Sequence, residues 1–341
     1  MKKLIVNLVK ISISVAIIAY LVVQARRHES FANLRDQPKD WLLLSLAWLL
    51  AFAAVSISFL RWYVLVRALD LPFRVRDAFR LGFLGYLLNF ISVGSVGGDL
   101  FKAVFIAREQ PGRRTQAVAT VIADRVVGMY ALFLLASIGI LTTGAFRDEH
   151  SRQMQLIVNA TLLATGIGTA CVIGLLVPAF TGPTVMTVAG RFPKVGAILA
   201  SLIGAARMYR DKTRVLLVAL ALSLSTHALF TLTIYFIARG LPGEHPTLAN
   251  HFVIVPMGMA AGGLPLPLGA LGAFEYVLDY LYRAFAGSNQ GLPVALGYRL
   301  ITVVIAAVGA GFYLSHRREL AAVMHQAELE SDLAMAGDEP A

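Results

Sequence analysis

Two glycine-rich segments of this sequence each interrupt an apolar run and then place a carboxylate. The residues that could contact a ligand are Asn89, Ser92, Gly94, Gly97, Gly98, Asp99 and Lys102 in the first segment, and Pro267, Gly269, Gly272 and Glu275 in the second. Free backbone amides at the start of a helix, with Lys102 one turn after Asp99, are suited to hold an anion. Irregular backbone at membrane depth survives only where protein or water covers it. Paired breaks of this kind indicate a transport site.

Each carboxylate also has a second interpretation. Asp99 could simply cap its helix while Gly94 and Gly98 form a packing face. Glu275 in mid-membrane would cost about 3 kcal/mol, so we expect it to face a wet cavity or a cation, or to take a proton. Asp279 and Arg283, further along, are expected to be interfacial.

Three more charges interrupt apolar runs, namely Asp124, Arg125 and Arg299. Asp124 and Arg125 are adjacent, so they point about 100° apart on a helix and each needs another partner. The candidate partners are Asp99, Lys102, Glu275, Arg299 and a bound lipid headgroup. A purely structural ion-pair network remains the alternative. Asn89 is expected to hydrogen-bond exposed backbone.

The elements that must position these residues are membrane helices, since 57% of the 341 residues are hydrophobic and only 15% are charged. We expect full crossings at about 4–23, 41–60, 117–143, 155–178, 214–238 and 293–314, with hairpins at 81–108 and 252–286 that return to their side of entry. The prediction is an all-α polytopic membrane protein with six full transmembrane helices and two re-entrant helical hairpins, or eight hydrophobic segments. The run 4–23 could instead belong to a signal peptide.

The lysines and arginines support this topology. With both termini on the cytoplasmic side of the cell (inner) membrane, the inner side collects 19 of the 30 basic residues and the outer side 8. The membrane domain, residues 1–318, then divides into halves of about 1–150 and 151–318 that are inverted relative to each other. An offset of 175 residues aligns Gly94 with Gly269 and Gly97 with Gly272, and sets Asp124 opposite Arg299. Residues 319–341 are predicted to form an acidic, disordered tail.

Several classes of function are disfavoured. The net charge of +10 is explained by topology rather than by nucleic acid, and the single cysteine, Cys171, excludes an internal disulfide and a cysteine-based metal cluster. We see no nucleotide-binding, nucleophile-elbow or metal-binding motif, so no cofactor or metal is expected. The stretch from Val195 to Met208 is either a helix lying against anionic lipid or an ordinary basic loop.

The segments Asn89 to Glu109, Asp124-Arg125 and Gly262 to Glu275 resemble the membrane domain of lysylphosphatidylglycerol synthases, a family also described as flippase-like. The resemblance spans residues 5 to 315, nearly the whole chain. The family's first motif is similar to Pro-Gly-Gly-x-Gly-Gly-Asp-x-x-Arg. This chain has Ser92 in place of the proline and Lys102 in place of the arginine, which keeps the charge but loses the guanidinium's bidentate geometry.

In full synthases, a soluble domain transfers lysine from tRNA onto phosphatidylglycerol and the membrane domain moves the product across the bilayer. The chain offers no counterpart of that soluble domain, so we expect no enzyme activity. The resemblance implies a lipid translocase that binds an anionic phospholipid or lipid-linked headgroup between the two hairpins.

Two other classes of function stay open. One is a non-transporting accessory subunit that partners a lipid-modifying enzyme or a glycosyltransferase. The other is a membrane-embedded enzyme that uses Asp99, Asp124 or Glu275 as an acid or base.

Overall fold

The computed structural model describes residues 36–91, 97–144, 152–177, 195–263 and 272–315. These residues form helices and connecting loops, without a β-strand among them. The α-helices are α1 (Trp41–Ala68), α2 (Val75–Ile91), α3 (Gly97–Glu109), α4 (Arg114–Thr143), α5 (Arg152–Leu176), α6 (Val195–Tyr209), α7 (Thr213–Gly240), α8 (Leu248–Gly262), α9 (Ala273–Ala286) and α10 (Gly291–Ser315).

Five of these helical segments are long and apolar enough to cross a membrane. They contain α1, α4, α5, α7 and α10, which match five of the six predicted crossings. The first predicted crossing, 4–23, lies outside the described residues. Large apolar side chains point outward on these segments, with Leu156 62% exposed and Leu163 65% exposed on α5. This pattern is the one expected for a polytopic membrane protein, whose helix surfaces face hydrocarbon.

The first glycine-rich segment is a pair of helices, α2 and α3, that pack against each other on either side of residues 92–96. Their approach is close because glycines face each other: a Cβ on Gly98 would lie 2.0 Å from the carbonyl oxygen of Gly85. The Gly98 amide donates to Asn89 Oδ1 at 2.9 Å, so Asn89 makes the expected hydrogen bond to backbone. The second segment has the same form, with α8 and α9 packed together on either side of residues 264–271.

The helix pair α2–α3 begins and ends at the same end of the molecule. Arg113, just before α4, donates to the carbonyl oxygens of Leu69 and Asp70, just after α1, at 2.6 and 2.9 Å. Gln110 donates to the carbonyl oxygen of Pro72 at 3.0 Å. Because α1 ends where α4 begins, the intervening pair leads in from this end and returns to it.

The pair α8–α9 begins and ends at the opposite end of α1. Here the Asp40 amide, at the start of α1, donates to the Gly240 carbonyl, at the end of α7, at 3.0 Å. Ser288, between α9 and α10, donates to the carbonyl oxygen of Glu244, between α7 and α8, at 2.5 Å. The ends of α7 and α9 therefore meet beside the start of α1.

The packing of α1 to α4 recurs in α7 to α10. In both sets, consecutive helices contact each other and the first helix also contacts the fourth. The two sets interlock, since α4 packs on α8 and α10 packs on α2, while α1 and α7 make the most extensive contact of all. A glycine lies at the contact of α4 with α8 and another at the contact of α10 with α2. A Cβ on Gly139 would lie 2.6 Å from the Phe252 carbonyl oxygen, and a Cβ on Gly309 would lie 2.3 Å from the Phe83 carbonyl oxygen. Small residues at such crossings let two backbones approach.

Two predictions about individual segments are wrong. Helix α1 continues to Ala68, beyond the predicted end at residue 60, because the apolar run resumes after Arg61 with Trp62 to Val66. Arg61, counted among the basic residues of the inner side, therefore lies within the helix and is 7% exposed. The alternative of a loop at 195–208 is also wrong, since these residues form α6, which packs on α4 and α5.

Candidate functional site

The helices that flank both glycine-rich segments border one partly open cavity with charged residues in its lining. The cavity has two adjoining chambers, of about 340 and 280 Å³, which share Tyr86, Asn89, Arg125, Phe230, Met259 and Gly263 as lining residues. The larger chamber reaches Arg299, and the smaller one reaches Arg61, Asp99, Lys102 and Asp124. Asn89, which precedes the first break, and Gly263, which precedes the second, therefore line the same cavity.

The first ion-pair cluster joins α3 to α4. Asp99, in the first turn of α3, forms an ion pair with Arg125 of α4. The Lys102 ammonium lies 4.0 Å from the second carboxylate oxygen of Asp99 and 5.2 Å from the centre of the Trp62 ring, so a cation–π contact also holds it. Asp99 is therefore engaged with two cations and does more than cap its helix.

The second cluster joins α9 to α10. Arg299 donates through Nε and Nη2 to Glu275 Oε1, at 2.9 and 2.7 Å. The other carboxylate oxygen of Glu275 accepts from the Gly272 amide at 2.8 Å. Gly272 has a φ of 95°, a left-handed conformation that favours glycine. Glu275 thus faces a partner cation, one of the environments expected for it, and also fixes the start of α9.

The two clusters have the same plan. In each, a carboxylate at the third residue of the short helix after the break pairs with an arginine on the following long helix. This plan makes Asp99 the counterpart of Glu275, and it relates Arg299 to Arg125 rather than to Asp124. With the offset of 175 residues, Asp99 falls one residue before Glu275, and Arg125 falls one residue after Arg299.

A third ion pair was not predicted. Arg61 of α1 donates to Asp124 Oδ1 at 2.7 Å and to Ser223 of α7 at 2.8 Å. None of the candidate partners proposed for Asp124 is used in this bond. The sequence did indicate that Arg61 lies within a helix, because it stands between two apolar runs that together form one helix.

The cavity is therefore lined by more cations than anions. Arg61, Lys102, Arg125 and Arg299 are opposed by Asp99, Asp124 and Glu275. Arg125 is the most accessible of these, since its side chain is 43% exposed, whereas that of Arg61 is 9% exposed. A guanidinium or ammonium group in a partly dry cavity binds phosphate oxygens strongly.

The predicted site residues divide into three groups. Asn89, Asp99, Lys102, Asp124, Arg125 and Arg299 line the cavity, and Glu275 contacts it through Arg299. Gly97, Gly98 and Gly272 form the helix starts that flank the breaks. Ser92, Gly94, Pro267 and Gly269 lie outside the described residues.

Asp279 and Arg283 form an ion pair with each other away from the lining of both chambers. Asp279 is 4% exposed and its Oδ1 accepts from the Leu292 amide at 3.2 Å, at the start of α10. This carboxylate therefore helps to join α9 to α10.

Comparison with known protein families identifies the family of this chain. No curated protein and no solved structure matches the chain. A family model described as lysylphosphatidylglycerol synthase TM region matches residues 7–309, which include both breaks and all three ion-pair clusters. The chain is a multi-pass membrane protein that belongs to this family.

Proposed function

We propose that this protein is a lipid translocase, which binds the phosphate of an anionic phospholipid or lipid-linked headgroup in the central cavity and lets it cross the bilayer. The observation that carries the proposal is the cation-rich cavity between the two broken helix pairs. Charged side chains within a membrane protein are costly, and they commonly mark a substrate or ion pathway. The family, named for a synthase of a charged phospholipid, supports a role with lipids.

We also propose that the two helix pairs are re-entrant hairpins of an inverted repeat, in a cell membrane with both termini cytoplasmic. The hydrogen bonds that join 69–72 to 110–113, Ser288 to Glu244, and Asp40 to Gly240 support hairpins that enter from opposite ends. In transporters built this way, substrate sits between the repeats near mid-membrane. The basic residues around 67–80 and 108–114 favour the first end as the cytoplasmic one.

The two equivalent ion pairs suggest how a headgroup passes. A phosphate that approaches Arg125 competes with Asp99, and one that approaches Arg299 competes with Glu275. At Asp99, Lys102 remains beside the carboxylate when Arg125 turns to the phosphate, so this exchange does not leave the buried carboxylate without a cation.

Reconstitution of the purified chain into neutral vesicles tests the proposal. The probe is phosphatidylglycerol with a fluorophore on an acyl chain, and a membrane-impermeant reductant reports the fraction in the outer leaflet. Wild-type protein is expected to bring the inner-leaflet probe to the outer leaflet, where the reductant reaches it. Arg125→Ala and Glu275→Gln are each expected to slow this movement about tenfold or more, the effect of losing one charge-assisted hydrogen bond. Arg239→Ala, an exposed arginine at the end of α7, is the matched control.

A fluorescent polyprenyl phosphate, used in parallel, distinguishes a phospholipid from a lipid-linked substrate. Movement of both probes at the rate of protein-free vesicles, with folded protein, would contradict translocation. If the folded chain retained anionic lipid without moving it, the accessory role would replace the translocase. Chemical turnover of the lipid would instead establish an enzyme.

A further inference from the structure

A second cavity lies between α4 and the α6–α7 helices, away from the central cavity. It measures about 170 Å³ and shares no lining residue with either polar chamber. Its walls include Val126, Val127 and Tyr130 of α4, Leu202 of α6, and Leu216 and Leu220 of α7. We call this cavity the α4–α7 groove.

The groove offers almost no free hydrogen-bonding group. The hydroxyl of Tyr209 donates to the Leu65 carbonyl oxygen at 2.8 Å, and that of Thr213 donates to the Arg210 carbonyl oxygen at 3.1 Å. The hydroxyl of Tyr130 bonds with Thr169 at 3.0 Å. A ligand of this groove is therefore held by apolar contact, as a hydrocarbon chain would be.

One end of the groove is strongly basic. The helices α6 and α7, which form one wall, meet at a 3-10 turn, Arg210–Lys212. Arg207, Arg210, Lys212 and Arg214 surround this turn, with Asp211 as the one acidic residue among them. Lys212 and Arg214 are exposed. The Tyr209–Leu65 hydrogen bond places this basic end beside the last turn of α1, at the end where α2–α3 begins and ends.

We propose that the α4–α7 groove binds one acyl chain of an anionic phospholipid, whose headgroup contacts Lys212 and Arg214. The groove and the basic turn are continuous along α7, so one lipid can occupy both. Basic residues at a membrane surface attract anionic lipid. Segments of the chain itself suit this position less well. Residues 178–194 carry Arg191 and Lys194, and the first 35 residues include Lys2 and Lys3. The basic end of the groove repels these positive charges. The groove is separate from the central cavity, so this site goes beyond the proposed translocation.

Photo-crosslinking of the full chain in phosphatidylcholine vesicles tests this site. The probe is phosphatidylglycerol with a diazirine on an acyl chain, compared with phosphatidylcholine of identical chains. Adducts are expected to concentrate on peptides that contain Val126 to Tyr130 and Leu202 to Leu220. The phosphatidylglycerol probe should be preferred by roughly fivefold for each basic residue near its headgroup.

Two variants separate the chain site from the headgroup site. Ala206→Phe fills the groove and should remove these adducts, whereas Leu163→Phe, on the lipid-exposed face of α5, should leave them. Lys212→Gln combined with Arg214→Gln should make the two probes label equally while the adducts remain. Labelling spread over exposed faces such as Leu163 and Ile167, or no labelling of the groove, would overturn the proposal. Equal labelling of wild type by the two probes would overturn it too.

Discussion

At the scale of single residues, the three ion pairs that border the cavity differ in how tightly they are held. Arg61 and Asp124 pair with each other through side chains that are 9% and 13% exposed, and Arg61 also donates to Ser223. Asp99 and Glu275 instead pair with arginines that line the cavity directly. We therefore assign Arg61–Asp124 mainly to stability, although it borders the smaller chamber, and the other two pairs to the headgroup.

The Arg61–Asp124 pair makes a prediction about stability. Arg61→Met leaves Asp124 buried without its cation, which is expected to destabilise the fold by about 3–5 kcal/mol. Asp124→Leu alone should be similarly harmful, because it leaves the Arg61 guanidinium unpaired. The double variant, Arg61→Met with Asp124→Leu, should recover much of the loss, since neither charge is then left alone. Denaturation in detergent measures all four proteins, and a double variant whose loss equals the sum of the singles would contradict the assignment.

Residue types could be predicted better than residue partners. A lone charge in hydrocarbon is costly, so the sequence predicts that each charged residue within an apolar run needs a partner. These residues are Asp124, Arg125, Glu275 and Arg299. Arg125 and Arg299 do use predicted partners, namely Asp99 and Glu275. Arg61 was missed because it follows the predicted end of α1, and its contact with Asp124 joins residues 63 positions apart.

At the scale of helices, the glycines set how closely α2 and α3 can pack. Gly98, the second residue of α3, faces Gly85 of α2, and its amide donates to Asn89. This contact positions Asp99 and Lys102, which follow within one turn. The glycine is therefore needed for its lack of a side chain, and the site depends on it indirectly.

Gly98→Ala is expected to destabilise the protein by about 1–3 kcal/mol and to slow lipid movement, because the new Cβ would overlap the Gly85 carbonyl. Gly166→Ala on α5 is the matched control, since a Cβ there meets nothing within 4 Å. The control should be neutral, or more stable by up to about 1 kcal/mol from helix propensity. Thermal unfolding of both variants in detergent decides the point. Equal behaviour of Gly98→Ala and Gly166→Ala would show that α2 and α3 do not need this contact.

Helix breaks were predictable because glycine and proline interrupt helices for local reasons. The segments 81–108 and 252–286 do contain paired helices separated near the predicted breaks. The exact ends were less well predicted: α1 runs eight residues past the predicted crossing, because the apolar run resumes after Arg61 with Trp62 to Val66.

At the scale of the whole molecule, the interlocking of the two halves creates the central cavity. Helix α4 packs on α8, and α10 packs on α2, so each half contributes a broken pair and a long helix to the same space. The sequence offset of 175 residues anticipated this correspondence of elements. The cavity itself could not be predicted, because it depends on how distant helices cross, as at Gly139 and Gly309.

The most direct test of a headgroup site in this cavity is lipid mass spectrometry of gently purified protein. The Lys212→Gln and Arg214→Gln double variant is the reference protein, because it lacks the basic residues proposed to hold lipid at the α4–α7 groove and leaves the cavity unchanged. We expect it to retain an anionic lipid that a further Lys102→Gln change reduces by about tenfold or more, the effect of removing one charge-assisted contact. Lys102→Arg in the same protein, which keeps the charge, should retain the lipid. The account is contradicted if the lipid bound to the reference protein matches the bulk membrane, or if its folded Lys102→Gln variant holds as much anionic lipid.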